Sequence, residues 1–267
     1  MAREFLRSPW PNNSARLTRL GIGVLIPGDR DWPVSVDDLG DSAPSVLWTQ
    51  GAASILARPP SNLVTITGAR AATSYGEHVA AETAGDLVQE ERIIVAGGAY
   101  GIEGATHRAA LAAGGDTIAV LAGGVDRPYP AGHSELLGRI ADTGLVVSEM
   151  PPGAKPTRHR FLARGRLMAA LSQATLVVEA GARSGALHTA SHARLLGRGL
   201  GAVPGLVTSA ASSGTNRLLR DQSARLVTGS GDVRQLLDEH ARLELPQSRE
   251  ITRTMPLSRA TAPPPSL

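Results

Sequence analysis

Between Ile93 and Gly115 the chain reads IIVAGGAYGIEGATHRAALAAGG, and no other stretch limits the fold as much. A short apolar strand, Ile93 to Ala96, meets a turn carrying Gly97, Gly98, Gly101 and Gly104, and an alanine-rich helix bearing His107 and Arg108 follows. Glycines let the backbone turn tightly. They also let a ligand approach main-chain N–H groups at a helix N-terminus, where the partial positive charge favours phosphate. The stretch therefore reads as an anion seat. Its spacing over Gly98, Gly101 and Gly104, G-x-x-G-x-x-G, differs from the dinucleotide fingerprint, and no acidic residue closes a second strand about 20 residues later to hold a ribose. A nicotinamide cofactor is not the first expectation, and no other cofactor is implied. The alternative reading of the same glycines is a strand-to-helix junction that binds nothing.

The same alternation recurs along the chain. Strands are expected at Leu63 to Thr67, Ile93 to Ala96, Thr117 to Ala122, Leu145 to Ser148 and Leu176 to Glu179, with a short sixth at Gly201 to Val203. Helices are expected from Ser74 to about Glu91, after the glycine turn, from about Ser134 to Ala141, around Gly165 to Leu171, from about Gly185 to Leu196, at Asn216 to Arg220 and at Val233 to Leu243. Short strands alternating with longer helices predict an α/β fold, a doubly wound and mainly parallel sheet with helices on both faces. Ligands of such a sheet sit beyond the carboxyl ends of its strands. The turns found there, 68–70, 97–101, 123–127 and 180–185, are rich in glycine, and three carry arginine. Residues 1–60 read as a lead-in and small extension, 61–243 as the main domain, and the Pro-, Ser- and Arg-rich 244–267 as a disordered tail.

Charge is segregated. The 267 residues carry a net charge of only +3, yet residues 151–225 hold eleven basic side chains against Glu179 and Asp221, a net +9, which leaves −6 for the rest. Such a segment points to a polyanionic partner on one side of the molecule. Coding bias explains why Lys155 is the only lysine, but not why carboxylates are missing. Aromatics make up 3%, so the core is expected to be Ala, Val, Leu and Ile. There is no cysteine, which excludes disulfides, zinc–thiolate sites and thiol nucleophiles. No signal peptide and no membrane-spanning run is read, so a cytoplasmic protein with no membrane contact is the expectation.

Taken in order, GARAATSYG, VAGGAYGIEGATHRAAL, IAVLAGGVDRPYP, VVSEMPPG, FLARGRLMAALS, VVEAGARSGALHTASHA, AVPG and GTNRLLRD resemble the DNA-processing protein A family, also called the Smf family. Each piece is a weak signal; eight in the right order, covering about residues 68–227, are strong. The resemblance implies an extended Rossmann-like fold, often dimeric, that binds single-stranded DNA without strong sequence preference and helps load the RecA recombinase in recombination or DNA uptake. It places the family's phosphate-contacting arginine on Arg70, a basic residue on Arg158 or Arg160, and the aromatic on Phe161. The arginines of the family's RNR motif fall on Arg164 and Arg166, and its RSG turn on Arg183, Ser184 and Gly185. Together with Gly97, Gly98 and Gly101, these are the expected DNA- and phosphate-binding residues. The chain departs from the pattern at Gly165, where the family has Asn, and at Gly97-Gly98-Ala99-Tyr100, where it usually reads SGLARG. The family's N-terminal helical domain is expected to be absent or reduced, and no winged helix is expected after Asp232.

The residues support that reading independently, because binding without sequence readout needs arginines for the backbone and a few planar faces for bases. Phe161, set among Arg158, Arg160 and Arg164, is the best stacking candidate; its other reading is a core anchor. Two rivals remain: a nucleotide hydrolase of the phosphoribohydrolase type, and a sensor of a small nucleotide. Glu149 and Glu179 are the carboxylates that acid–base work would use, and pairing with nearby arginines is their simpler role. No catalytic residue and no metal is expected. His188 and His192, four apart, lack a neighbouring carboxylate, and Ser184 suits a phosphate hydrogen bond better than nucleophilic attack.

Overall fold

The protein is described by a computed structural model covering residues 14–244. The expected lead-in up to residue 13 and the tail from 245 lie outside the described residues. Nine strands form one sheet in the order β1-β2-β6-β5-β4-β3-β7-β8-β9. They are β1 (Ile22–Leu25), β2 (Leu47–Gly51), β3 (Leu63–Thr67), β4 (Ile93–Gly97), β5 (Thr117–Val120), β6 (Leu145–Ser148), β7 (Ala174–Val177), β8 (Gly199–Ala202) and β9 (Arg225–Leu226). From β6 to β9 every pairing is parallel, and β1 and β2 add an antiparallel edge through β2 on β6. The helices are α1 (Ser14–Arg19), α2 (Ser74–Gln89), α3 (Ile102–Ala112), α4 (Ser134–Thr143), α5 (Arg158–Leu171), α6 (Ala186–Leu195), α7 (Ser213–Arg220) and α8 (Ser230–Glu244).

The fold class read from the sequence holds. Alternate residues of each strand face opposite layers, as the pleat requires. Val64, Ile66 and Ile94 pack on α2, α3 and α8, whereas Leu63 and Val95 pack on Leu167 and Met168 of α5. The α2 face is built from small residues, Ala80 and Ala84, both fully buried, so that helix lies close to the sheet. Leu136, Leu137 and Ile140 of α4 cover β5 and β6 on the α2 side, and Ala190 and Ala193 of α6 cover β7 and β8 on the α5 side.

Four elements differ from the sequence reading. Helix α5 begins at Arg158, about two turns before Gly165. The segment RHRFLARG has no apolar period, so nothing in its pattern marks a helix. The strands β7 and β8 begin two residues earlier than expected, at Ala174 and Gly199, because pairing with β3 and β7 rather than hydrophobicity sets their start. The two-residue β9, with both side chains exposed, carries no apolar run to betray it.

Topology fixes where a ligand can sit. The chain builds outward from β3 through β4, β5 and β6, then returns to the other side of β3 to lay down β7 and β8. The connections after β3 and β7 therefore diverge and leave a crevice beyond the carboxyl ends of those strands, the usual binding place in an open α/β sheet. Among the described residues no helix is long and apolar enough to cross a membrane.

Candidate nucleic-acid interface

A cavity of about 1000 Å³ occupies that crevice. The turn after β3 supplies Gly68 to Ala71, the loop after β7 supplies Gly181 to Gly185, and α5 supplies Arg158, Phe161 and Arg164. Ala210, Ala211 and Ser213, at the entry to α7, close the last side.

Helix α5 presents its site residues for a local reason. Thr157 is its N-cap, the side-chain oxygen accepting the Arg160 N–H at 3.3 Å. From there Arg158, Phe161 and Arg164 recur every third residue and so share one face. Its opening turns carry arginines and no carboxylate. Positive side chains there oppose the helix dipole, and an anion at the same place relieves that opposition.

The arginines fall into two groups. Arg70, Arg158 and Arg183 are exposed at the cavity mouth, and among the described residues none of the three pairs with a carboxylate. Arg70 sets its guanidinium 4.2 Å from the Phe161 ring centre. Arg164, by contrast, is buried at the cavity floor, where its Nη2 donates to Glu103 Oε1 at 2.8 Å and to Oε2 at 3.0 Å. Its Nε–H is buried with no hydrogen-bond partner among the described residues. A buried donor of this kind is costly unless a ligand meets it.

Arg160 donates to the Lys155 carbonyl at 2.6 Å and braces the loop before α5, without lining the cavity. Arg166 is held bidentate by Glu149, at 2.9 and 2.7 Å, and lies outside the cavity as well. Ser184 and Gly185 line the wall; the Ser184 hydroxyl accepts the Ala186 N–H at 3.3 Å and so positions the start of α6.

The glycine turn after β4 has another task than an open anion seat. Glu103, in the first turn of α3, fills that seat itself: its carboxylate accepts the Ala99 N–H at 3.0 Å and the Thr67 hydroxyl at 3.0 Å. Burial alone would raise the Glu103 carboxyl, but Arg164, Ala99 N–H and Thr67 together hold it below the ordinary carboxylate range. Gly97, Gly98 and Gly101 stand behind the wall, which only Ala99 of this turn reaches. A Cβ on Gly97 would lie 2.2 Å from Arg164 Cζ, so this glycine makes room for the buried guanidinium. A Cβ on Gly98 would press on Leu121 at 3.0 Å. Gly101 has φ +69°, and a Cβ there would lie 2.3 Å from the Ala69 carbonyl oxygen.

The remaining titratable candidates are also engaged. Glu179 is buried and accepts the Thr73 N–H at 2.9 Å and its hydroxyl at 2.6 Å, which ties the β7 end to the N-terminus of α2. His107 is fully buried; its Nε2–H donates to the Gly97 carbonyl at 3.1 Å, and its Nδ1 meets the Thr117 hydroxyl at 2.8 Å. His188 lines the cavity wall, whereas His192, one turn on, does not. Among the described residues no cluster of His, Cys, Asp or Glu could hold a metal. Sequence reasoning missed Glu103 altogether, although an acid inside a glycine turn that faces an arginine-rich segment was the available signal.

Residues 23–238 match the family model described as DNA recombination-mediator protein A. The chain is 52% identical over 227 residues to a putative DNA processing protein DprA of Mycobacterium tuberculosis, covering 81% of this chain and 58% of that protein. It thus spans somewhat over half the length of that curated relative. The X-ray structure of DNA processing protein A from Streptococcus pneumoniae superposes with a TM-score of 0.75 at 34% identity, over 82% of this chain and 76% of the other. The Helicobacter pylori DNA processing protein A, whose structure describes a single-stranded DNA binding mode, superposes with a TM-score of 0.73 at 28% identity, over 82% and 96% of the two chains. With the family model spanning residues 23–238, most of the chain, this chain belongs to the DNA recombination-mediator protein A family.

Proposed function

We propose that the protein binds single-stranded DNA without sequence preference, seating the sugar-phosphate chain in the cavity between the β3 and β7 turns. One observation carries this reading: Arg70, Arg158 and Arg183 converge on one cavity mouth, and among the described residues no carboxylate neutralises them. The acids of the neighbourhood, Glu103, Glu149 and Glu179, are each consumed by an internal partner. They hold the frame and leave the field at the mouth positive. Arg70, Arg158 and Arg183 contact phosphates, the Ser184 hydroxyl adds a hydrogen bond, and Arg164 offers its unpaired Nε–H from the floor. Arg166, Arg160, Gly97, Gly98 and Gly101 shape the site without touching the strand. With Glu103 locked to Arg164, no free carboxylate among the described residues faces the cavity as a general base, which favours a binder over a nucleotide hydrolase.

The finer reading follows the family: residues 61–243 form the DNA-processing unit, which acts as a homodimer in the cytoplasm and passes the bound strand to the RecA recombinase in recombination or natural transformation. The test is fluorescence anisotropy with an unstructured oligonucleotide across a salt series. The logarithm of K should fall by about 0.7 per log unit of salt for each phosphate neutralised. Binding that is absent or indifferent to salt, alongside a thermal shift from a mononucleotide, would replace this reading with the nucleotide sensor. Release of free base from a nucleotide would replace it with the hydrolase.

A further inference from the structure

We infer that the strand does not end in the cavity but continues over the turns that follow β4 and β5, where Tyr129 and Tyr100 seat its bases and Arg127 meets its backbone. The inference rests on the proposed strand-binding role and adds a base-contacting surface to it.

The chain contains two Phe, three Tyr and three Trp. Trp32 and Trp48 are buried, whereas Tyr129 and Tyr100 remain 49% and 48% exposed. Large rings left half in water and held still are what base stacking uses. Both rings are held. Tyr129 leans on Phe161, with ring centres 5.9 Å apart and planes at 56°. Tyr100 meets His133 edge-on at 4.6 Å, and its phenol lies against Gly132, where a Cβ would come within 2.4 Å of the hydroxyl. The two turns are latched to each other, since His133 Nδ1–H donates to the Gly98 carbonyl at 3.0 Å.

Phe161 connects this surface to the cavity. Arg70 lies against it on the cavity side, and Tyr129 packs on it from the turn after β5. Arg70, Phe161 and Tyr129 therefore make a continuous row leading outward from the cavity mouth. Because Arg70 takes up Phe161, the stacking area open to a base along this row is that of Tyr129. Arg127, two residues before Tyr129, is exposed and has no ion pair among the described residues. A flexible strand can place bases on Tyr129 and Tyr100 and a phosphate on Arg127, the exposed ring and cation of the turn after β5 together with the exposed ring of the turn after β4.

The test compares oligothymidylates of about 6 and about 15 nucleotides on the full chain, a span typical of single-strand site sizes. Tyr129→Ala and Tyr100→Ala are each expected to weaken the longer strand about tenfold while leaving the salt slope unchanged, because a stack neutralises no phosphate. Tyr129→Phe restores the affinity, Arg127→Ala lowers the slope by about 0.7, and the 6-mer is little affected by any of them. Tyr129→Leu keeps an apolar contact on Phe161 without a π-face, so it separates stacking from folding if the alanine variant melts early. In the wild type, 2-aminopurine moved along the 15-mer is quenched beyond the cavity-bound segment. Wild-type affinity in both alanine variants, or recovery by Leu as complete as by Phe, would overturn the inference and leave the cavity reading intact. Failure of the wild type to bind either strand would remove both.

Discussion

Arg70 rests its guanidinium 4.2 Å from the centre of the Phe161 ring, and Arg164 approaches the same ring at 5.5 Å from one turn further along α5. One aromatic thus orients two cations of opposite fate, the exposed Arg70 and the buried Arg164. A planar guanidinium packed on a ring keeps its edge N–H groups free for phosphate while giving up little rotamer freedom on binding.

Arg70→Ala should weaken single-strand binding and lower the salt slope by about 0.7, the share of one phosphate contact. Phe161→Ala should weaken binding through disorder of Arg70, with a smaller change in slope. Anisotropy titrations at four or so salt concentrations separate the two variants. Equal slopes in wild type and Arg70→Ala would remove Arg70 from the phosphate contacts.

The Glu103 and Arg164 side chains are 4% and 9% exposed, so each is the main neutraliser of the other. Removing one charge strands its partner in a buried site. Glu103→Gln is expected to cost about 3–5 kcal/mol of stability in urea unfolding, and Arg164→Met a similar amount, whereas the double variant should recover much of the loss. A double-mutant cycle with a coupling near zero would show that the pair is not the clamp of the cavity floor.

Much of this was legible in the chain. Each of the turns that line the cavity carries Gly beside Arg, Ser or Ala, and strand-helix alternation places such turns at one end of a parallel sheet. What stayed hidden is what contacts across distant segments decide. Arg164 and Glu103 are 61 residues apart, and only the superposition of α5 on the β4 turn reveals that one cancels the other. The pairing of Arg166 with Glu149, 17 residues away, was by contrast open to the sequence, as the simpler role of that acid. The glycine turn was read as an open seat because sequence shows the donors of a helix N-terminus but not the carboxylate that fills it. The early start of α5 was missed because arginines on a helix start contradict the charge pattern that stabilises helices. Where local preference and structure disagree, a binding role is the expected cause.

Gly101 joins the turns after β3 and β4. At φ +69° its backbone is in a region that disfavours side chains, and a Cβ would meet the Ala69 and Arg70 carbonyls at 2.3 and 2.6 Å. Neither backbone segment can yield without moving the cavity wall. Gly101→Ala should therefore destabilise the protein by about 3 kcal/mol or more, and strand binding should fall with it. Gly114, also at positive φ but with open space around it, is the control: alanine there should cost only about 1 kcal/mol. Equal melting temperatures for the two variants would contradict this account.

His107 sets a pH dependence of folding. Burial is the main cause that pushes its pKa down from 6.5 to about 4; Glu103 and the Gly97 carbonyl oppose the shift, and His133 and Arg164 add to it. A histidine with a lower pKa in the folded state takes up its proton more readily when unfolded. Its neutral form therefore favours folding fully above about pH 6.5, and that contribution shrinks as pH falls toward about 4. Over this window the loss amounts to about 3 kcal/mol, with the slope steepest midway, near about pH 5, at about 1.2 kcal/mol per pH unit. Glu103 does not cancel it, since a carboxyl held below its ordinary range in the folded state also contributes stability that is lost, not gained, as pH falls. Urea unfolding between pH 7.5 and 4.5 reads the total, and His107→Gln, which keeps a donor for the Gly97 carbonyl, isolates the histidine. The variant's stability should be nearly flat across the part of the curve where the wild type descends; parallel curves for the two proteins would assign the descent to other groups.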